Sequence, residues 1–438
     1  MSEEKNILVV LPIGRDERYL KRVIKNNPGY NIIWKDDENF SYPFPDESFS
    51  LVEYTEKCSD FLESNQVDGI YYSHDLANLV AAVLCERHDI YGPSLEAMFL
   101  TNHKYYSRDN QPNAPWFSYL DLDTGECGCE DVKYPCYVKP TSLTMTLHQH
   151  QIHNEQDLEE ILPELQADIP EKMRIYREFF DEYIDLDKYP LANKNMMVIE
   201  EFLEEFEQHC VEGWVGPEGE LNVWAVSDHI YYPGLRKSID CYATPTSLPA
   251  DVRKKVVEYA KEAVRQHGID AGFWNVEVFR VKGWEEEITA TEVNGRAASV
   301  WYDLYYNTFG KDLSKAMLHL YSGEPEKCRK EAPDYKNSPR AGAQFHVITY
   351  GEGKAEELLD FNYIDSLDEP EIEVFYPRGS EVKQVETTGV WLARFELFGN
   401  NMVKLCKKAD EIRENMLKKP ELSPSPPEER KPFYQDLR

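Results

Sequence analysis

The chain has 438 residues, with 48 Lys+Arg against 80 Asp+Glu, and a formal charge of −32. That excess of negative charge excludes a general nucleic-acid-coating protein, whose binding rests on Lys/Arg neutralisation of phosphates, and it argues against anionic membrane surfaces. A hydrophobic fraction of 42% and an aromatic fraction of 13% are too high for a disordered chain, and the length accommodates about two to four domains. One local basic pocket for a small phosphate ligand stays compatible with this balance.

No run approaches the ~18 apolar residues that a membrane span needs, and Ile7–Leu11 is too short for a signal peptide. The nine cysteines include no CxxC pair, and only Cys127 and Cys129 are close neighbours. Reduced thiols in a cytoplasmic protein are the expectation, not a zinc site.

Residues 7–11 read as a buried first strand, closed by Pro12-Ile13-Gly14. The loop lacks GxGxxG, so no dinucleotide site is expected there. A helix over Glu17–Asn26, a strand over Asn31–Trp34, a helix near 52–66, a strand over Val67–Tyr72 and an apolar helix over Leu76–Glu86 follow. This alternation predicts a small parallel α/β domain over residues 1–100. Beyond residue 101 the pattern changes. Tyr134–Pro140 reads as a strand that Pro140 ends, followed by a Thr-rich loop and an acidic helix around 155–165. Met196–Ile199 is a buried strand, and strands over 209–215 and 221–227 flank the turn Pro217-Glu218-Gly219. Val252, Val256, Ala260, Ala263 and Val264 form one stripe of a helix that Gly268 ends. Strands over 273–281 and 287–294, further β segments and a helix near 400–416 complete the chain before a proline-rich tail, read as disordered.

Side chains two apart on a strand share a face, which places Asn275, Glu277 and Phe279 together, and Glu292 with Asn294. Paired as a hairpin, the two strands bring Glu277 close to Glu292 and Asn294, at about 4.5–5.5 Å between opposed Cβ atoms. Two carboxylates that close repel unless a cation lies between them, and two carboxylates plus an amide suit Mg²⁺. The alternative reading is a solvated polar face on an edge hairpin. Lys139 ends a strand before a loop of Thr141, Ser142, Thr144 and Thr146, and Lys104 stands at a helix start. Lysines with loop hydroxyls can hold phosphate oxygens, although each lysine alone reads as surface charge. His148, His150 and His153 sit in the polar loop and read as contacts to phosphate or substrate sooner than metal ligands, and Arg236-Lys237 as a candidate contact to a substrate carboxylate. Trp214, Trp224, Trp274, Trp301 and Tyr302 read as core.

In order, the chain presents an α/β domain, Lys104, Lys139-Pro140, Glu200-Glu201-Phe202-Leu203, Glu277 and Glu292-Val293-Asn294-Gly295-Arg296. This order and spacing resemble the ATP-grasp superfamily, especially its carboxylate–amine ligases (carnosine synthase and other amino-acid ligases), over roughly residues 1–415. "VIEEFLE" is similar to that family's adenine-binding hinge, "FWNVEVF" to its metal-carboxylate strand, and "TATEVNGRAA" to its E-x-N-x-R segment. The resemblance implies an α/β chain. It would have a Rossmann-like pre-ATP-grasp domain over 1–100, an ATP-grasp domain over 101–330, a C-terminal α+β lobe over 331–418 and a tail over 419–438. Lys104 and Lys139 would bind ATP phosphates. Glu200 would accept from the adenine amino group, the backbone of Glu201, Phe202 and Leu203 would read the adenine edge, and Glu207 would hold the ribose. Glu277, Glu292 and Asn294 would hold one or two Mg²⁺ ions (or Mn²⁺), and Arg296 and Lys139 would stabilise the transferring phosphoryl group.

The implied reaction joins a small-molecule carboxylate to an amine through an acyl phosphate, in the cytoplasm, with no nucleic-acid or membrane partner; a homodimer is the default assembly. The chain departs from the family pattern where a glycine-rich phosphate loop is usual. Residues 141–151 read TSLTMTLHQHQ, without glycine. Asn275-Val276 replaces a usual His, and Gly295 a common Pro. The glycine-free loop motivates the alternative, a degenerate ATP-grasp protein that binds nucleotide or a partner without ligating anything.

Overall fold

The computed structural model describes residues 4–27, 29–143, 148–204, 206–232, 238–282, 288–384 and 389–424. The first strands form a parallel sheet in the order β2-β1-β3, from β1 (Lys5–Val10), β2 (Tyr30–Lys35) and β3 (Gly69–Tyr71). Parallel neighbours need crossovers, which α1 (Gly14–Asn26) and α2 (Leu51–Ser64) supply. The apolar run expected as a helix is α3 (Asp75–His88), buried at every position from Asp75 to Cys85. Its start is capped by the His74 ring, whose Nδ1 accepts from the Ala77 N–H at 3.3 Å. Asp75 in the first turn adds the negative charge that a helix N-terminus favours.

α4 (Leu95–Asn102) and α5 (Lys104–Asp109) lead into an antiparallel sheet ordered β4-β7-β5-β6. Its strands are β4 (Phe117–Asp121), β5 (Cys136–Pro140), β6 (His150–Ile152) and β7 (Met196–Glu201). β6 was not expected, because three residues give too little alternation to read. It places His150 on a strand, not in a loop. The helix expected over 155–165 is longer: α6 (Glu155–Lys172) continues past Pro163 and Pro170, with Leu158, Leu165 and Ile169 facing inward, and is followed by α7 (Arg174–Tyr183).

An eight-stranded sheet, ordered β12-β11-β8-β9-β10-β13-β17-β15, dominates the rest. Here β8 is Phe206–Val215, β9 Leu221–Tyr231, β10 Ile239–Thr244, β11 Gly272–Val281, β12 Ile288–Asn294 and β13 Ala341–Thr349. β14 (Gly353–Lys354) pairs with β16 (Glu381–Val382) apart from it, while β15 (Ile372–Val374) and β17 (Val390–Gly399) complete it. The predicted stripe is α8 (Ala250–Gln266), which buries Val256, Ala260, Ala263 and Val264. The turn after it uses Gly268 at φ +66°, a conformation that L side chains rarely adopt. α9 (Trp301–Phe309) lies against β10, β13 and β17.

One apolar core runs from the N-terminal sheet through the small sheet to β8, β9, β11, β12 and α8. A second lies under β10, β13, β17 and the C-terminal helix Met402–Met416. The strands of 341–399, in the stretch expected as a C-terminal α+β lobe over 331–418, extend the same large sheet above this second core. Among the described residues, no helix is long and apolar enough to cross a membrane, and none of the nine cysteines forms a disulfide.

Candidate active site

The antiparallel pairing of β11 with β12 sets Glu277 opposite Glu292 and Asn275 opposite Asn294. The expected hairpin is present, but Asn294 faces Asn275, to which its Nδ2 donates at 3.4 Å, and Glu277 faces the other carboxylate. Gln208 Nε2 on β8 donates to Glu277 at 2.7 Å. Burial, and then the charge of Glu292, push the Glu277 carboxyl up to about 7. Behind the pair, Asn275 Nδ2 donates to Cys210 Sγ at 2.6 Å and to Glu212 at 3.1 Å; Glu212 also accepts from the Ala298 N–H at 2.8 Å. Burial raises Glu212 to about 8, so it is largely neutral at pH 7. Asn275 thus orients the hairpin from below. Two like charges held in register form a site that a divalent cation stabilises, and the oxygen donors of Glu277, Glu292 and Asn294 fit Mg²⁺.

A cationic group faces this pair. Lys104, the first residue of α5, lies 3.5 Å from Glu292 and donates to the Leu143 carbonyl at 2.6 Å. One turn later on the same helix face stands Arg108, a residue not singled out in the sequence. It is buried, and its Nε donates to Glu200 at 2.6 Å. Nη1 donates to Gln111 at 2.6 Å and to the Ala290 carbonyl at 3.0 Å, and Nη2 to the Thr291 carbonyl at 2.9 Å. The second oxygen of Glu200 is 2.7 Å from Lys139 Nζ. Burial alone would raise the Glu200 pKa; Arg108 and Lys139 overcome it and hold the carboxyl at about 2. Burial, with Arg108 nearby, pushes Lys139 down to about 8 despite Glu200. Glu200, expected to accept from an adenine amino group, has its two oxygens paired with Arg108 and Lys139.

Arg296 faces the N-terminal unit. Its Nε donates to Asp75 Oδ1 at 2.6 Å and its Nη2 to Asp75 Oδ2 at 3.1 Å, a two-pronged pair that leaves Nη1 for a ligand. Asp75 is buried; burial opposes its charge, but Arg296 holds its carboxyl below the ordinary range. Gly295 admits the Met98 side chain, whose Cε would lie 2.3 Å from a Cβ at that position.

Asp75, Lys104, Arg108, Ser142, Glu292 and Asn294 line one narrow cleft, beside which Asn275, Glu200 and Arg296 are bonded to its walls. The hydroxyls of Ser142 and Thr291 are buried at its edge with no hydrogen-bond partner among the described residues. Buried polar groups without partners are rare, and these two fit a ligand rich in acceptor oxygens. Residues 132–302 match the family model of the ATP-grasp domain.

These residues resemble an ATP-grasp domain.

The whole chain also resembles several solved structures in fold. L-amino acid ligase from Bacillus licheniformis superposes with a TM-score of 0.71 at 15% identity, over 95% of this chain and 98% of that one. Phosphoribosylglycinamide synthetase from Anaerococcus prevotii gives 0.61 at 18% identity, over 94% and 99%. The biotin carboxylase domain of Hydrogenobacter thermophilus 2-oxoglutarate carboxylase, solved as a dimer with MgADP, ADP and bicarbonate, gives 0.63 at 13%, over 95% and 91%. The expected α/β class, with an N-terminal parallel sheet ahead of an ATP-grasp fold, is the one observed.

Within residues 132–302 the segment expected as an adenine-binding hinge leaves β7 at Glu201, whose N–H donates to the Trp116 carbonyl at 2.8 Å. That ladder bond narrows the expected N–H reading of an adenine edge to Phe202 and Leu203, which are partly exposed and outside any strand. Phe206 stacks on Phe279 with ring centroids 3.9 Å apart, which gives the hinge an aromatic neighbour. Glu207 points outward, paired with Arg280, and 3.8 Å from His209. His148 approaches Glu164 and Asp168, but its Nε2 is 2.5 Å from Lys172 Nζ, a cation that occupies the place a metal would need. Arg236 and Lys237, and Thr144 and Thr146, lie outside the described residues. Trp214, Trp224, Trp274, Trp301 and Tyr302 are buried in the core as read.

Proposed function

We propose that the protein is an ATP-dependent ligase that joins a small-molecule carboxylate, an amino acid or related acid, to an amine, releasing ADP and phosphate. The carrying observation is Glu277 set opposite Glu292 with Lys104 beside them, a centre that needs a cation and faces a cationic cleft. The similarity in fold to an L-amino acid ligase, and to a domain solved with MgADP, supports this reading.

In the reaction an oxygen of the acid attacks the γ-phosphorus of ATP and the bond to ADP breaks. The amine nitrogen then attacks the acyl carbon, phosphate departs, and the amine loses its proton to solvent. Glu277, Glu292 and Asn294 would hold Mg²⁺, which when bound would supply charge neutralisation at the phosphates. Lys104 and Lys139 add positive charge beside them, and the Ser142 and Thr291 hydroxyls donate where a glycine-rich loop would offer backbone N–H groups. Arg296, fixed by Asp75, presents Nη1 to the acyl phosphate. Phe202 and Leu203 read the adenine, and Glu207 turns from Arg280 to the ribose. No enzyme nucleophile is required. The substrates are small molecules, the compartment is the cytoplasm, and Mn²⁺ substitutes for Mg²⁺ in the same oxygen set.

The test is calorimetry of ATP binding with and without Mg²⁺, followed by ADP release with pairs of amino acids. Micromolar binding that needs Mg²⁺, and ADP release that needs both an acid and an amine, are expected. Tight MgATP binding without ADP release from any pair would replace this reading with that of a nucleotide-binding module.

A further inference from the structure

Two side-chain amides stand behind the carboxylate centre, and the bonds each makes fix the way it faces. A primary amide carries two N–H donors on its nitrogen and accepts only through its oxygen. The register of β11 against β8 and β12 puts Asn275 between Glu212 and Asn294. Asn275 is fully buried. Its nitrogen donates to Cys210 Sγ at 2.6 Å and to one oxygen of Glu212 at 3.1 Å, while the other Glu212 oxygen accepts from the Ala298 N–H at 2.8 Å. Both donors are therefore engaged on the far side. Only Oδ1 is left for Asn294, and it accepts from Asn294 Nδ2 at 3.4 Å.

Asn294 is 7% exposed and lines the cleft with Glu292. With its nitrogen turned back onto Asn275, Oδ1 is the atom that it offers to the cleft. The opposite sense would set an N–H donor, which no cation binds, in the place of an oxygen ligand. A carboxylate faces no such choice, because its two oxygens are alike. Gln208 illustrates the difference. Its Oε1 accepts from the Tyr231 hydroxyl and its Nε2 donates to Glu277 at 2.7 Å, which steadies a group that needs no orienting.

We infer that Asn275 is a positioning residue of this centre: by accepting from Asn294 Nδ2 it holds the Asn294 oxygen toward a divalent cation shared with Glu277 and Glu292. Asn275 stands where the family pattern has a His, so the role belongs to the departure and not to the pattern. The inference rests on the metal centre of the ligase reading above.

The experiment titrates the full chain with Mn²⁺ alone and counts the free ion by electron paramagnetic resonance. Asn275→Leu keeps the size of the side chain and removes its acceptor, and it raises the Kd for Mn²⁺ about fivefold. Asn275→Ala, which sets no apolar branch beside Glu212, gives the same reading if Asn275→Leu does not fold. The deciding arm repeats the substitution together with Asn294→Asp, whose two equivalent oxygens need no orienting. There Asn275→Leu changes the Kd by less than about twofold. Gln208→Leu, acting through Glu277, weakens binding alike with and without Asn294→Asp. An unchanged or lower Kd in Asn275→Leu, or an equal loss in both backgrounds, overturns the positioning role while leaving the metal centre intact. A native chain that binds no Mn²⁺ removes the centre and the inference with it.

Discussion

Of the two charge clusters at the site, one is buried and the other partly exposed, and they are balanced in opposite senses. Arg108, Glu200 and Lys139 combine two cations with one anion, joined at 2.6 and 2.7 Å. Glu277 and Glu292 combine two anions, relieved only in part by Lys104 at 3.5 Å from Glu292. The first is internally hydrogen-bonded and still carries an excess positive charge; the second carries an excess of negative charge. A folded chain tolerates such residual charges where a ligand of opposite sign completes them, and a phosphate chain with its metal ion has the required alternation.

The sharpest way to break the comparison is Glu292→Gln. ADP release should fall by about a thousandfold or more, because the metal loses one of two carboxylates, while the ligand-free protein should melt higher as the repulsion disappears. A coupled ADP assay beside a thermal melt checks both; a folded Gln variant with near-normal turnover would sink the assignment. Arg108→Met attacks the opposite cluster. It leaves Glu200 with one partner and takes the guanidinium donors from the Thr291 and Ala290 carbonyls, the latter keeping Gln111 at 3.3 Å, and should cost about 3–5 kcal/mol in denaturant unfolding. Arg108→Lys should recover little, because a lysine cannot span that fork of partners.

Asp75→Asn tests the third charged pair. With Arg296 no longer anchored, kcat should fall roughly 10–100-fold while the Kd for MgATP stays within about twofold, and Asp75→Glu should restore part of the rate. Equal losses in kcat and in nucleotide affinity would instead place Asp75 at the nucleotide. The smallest expected effect is in pH dependence. Lys139 is held down to about 8, so it is charged below that pH and neutral above it. MgATP affinity should therefore weaken as pH rises through about 8, by about tenfold. Removing the attraction of Glu200 in Glu200→Gln should move the break to lower pH. A flat binding profile from pH 7 to 9.5 would remove Lys139 from the phosphate site.

The two clusters also differ in how legible they were. Glu277 and Glu292 sit on strands whose period of two is explicit in the sequence, so their register followed from a short turn. The N-terminal α/β alternation and α8 were legible for the same reason, a strong local period. Arg108 carried one usable signal, its place four residues after Lys104 on a helix, but its partners Glu200, Ala290 and Thr291 come from two other strands. Asp75 carried none, since it looks like an ordinary helix-start acid. Asn275 was read as a departure from a family pattern, and its bonds to Glu212 and Cys210 depend on a neighbouring strand 63 and 65 residues earlier. Contacts of that range leave no local trace.

The pair between Asp75 and Arg296 spans 221 residues of chain. Synthesis at about 5–20 residues per second puts roughly 10–45 s between the two residues, and domains near the N-terminus generally fold first. During that interval the first parallel unit has formed around a carboxylate whose guanidinium does not yet exist. The last charge of the proposed site to be made is thus also the partner of a buried carboxylate in the first domain, so a chain that stops before residue 296 leaves Asp75 without its guanidinium.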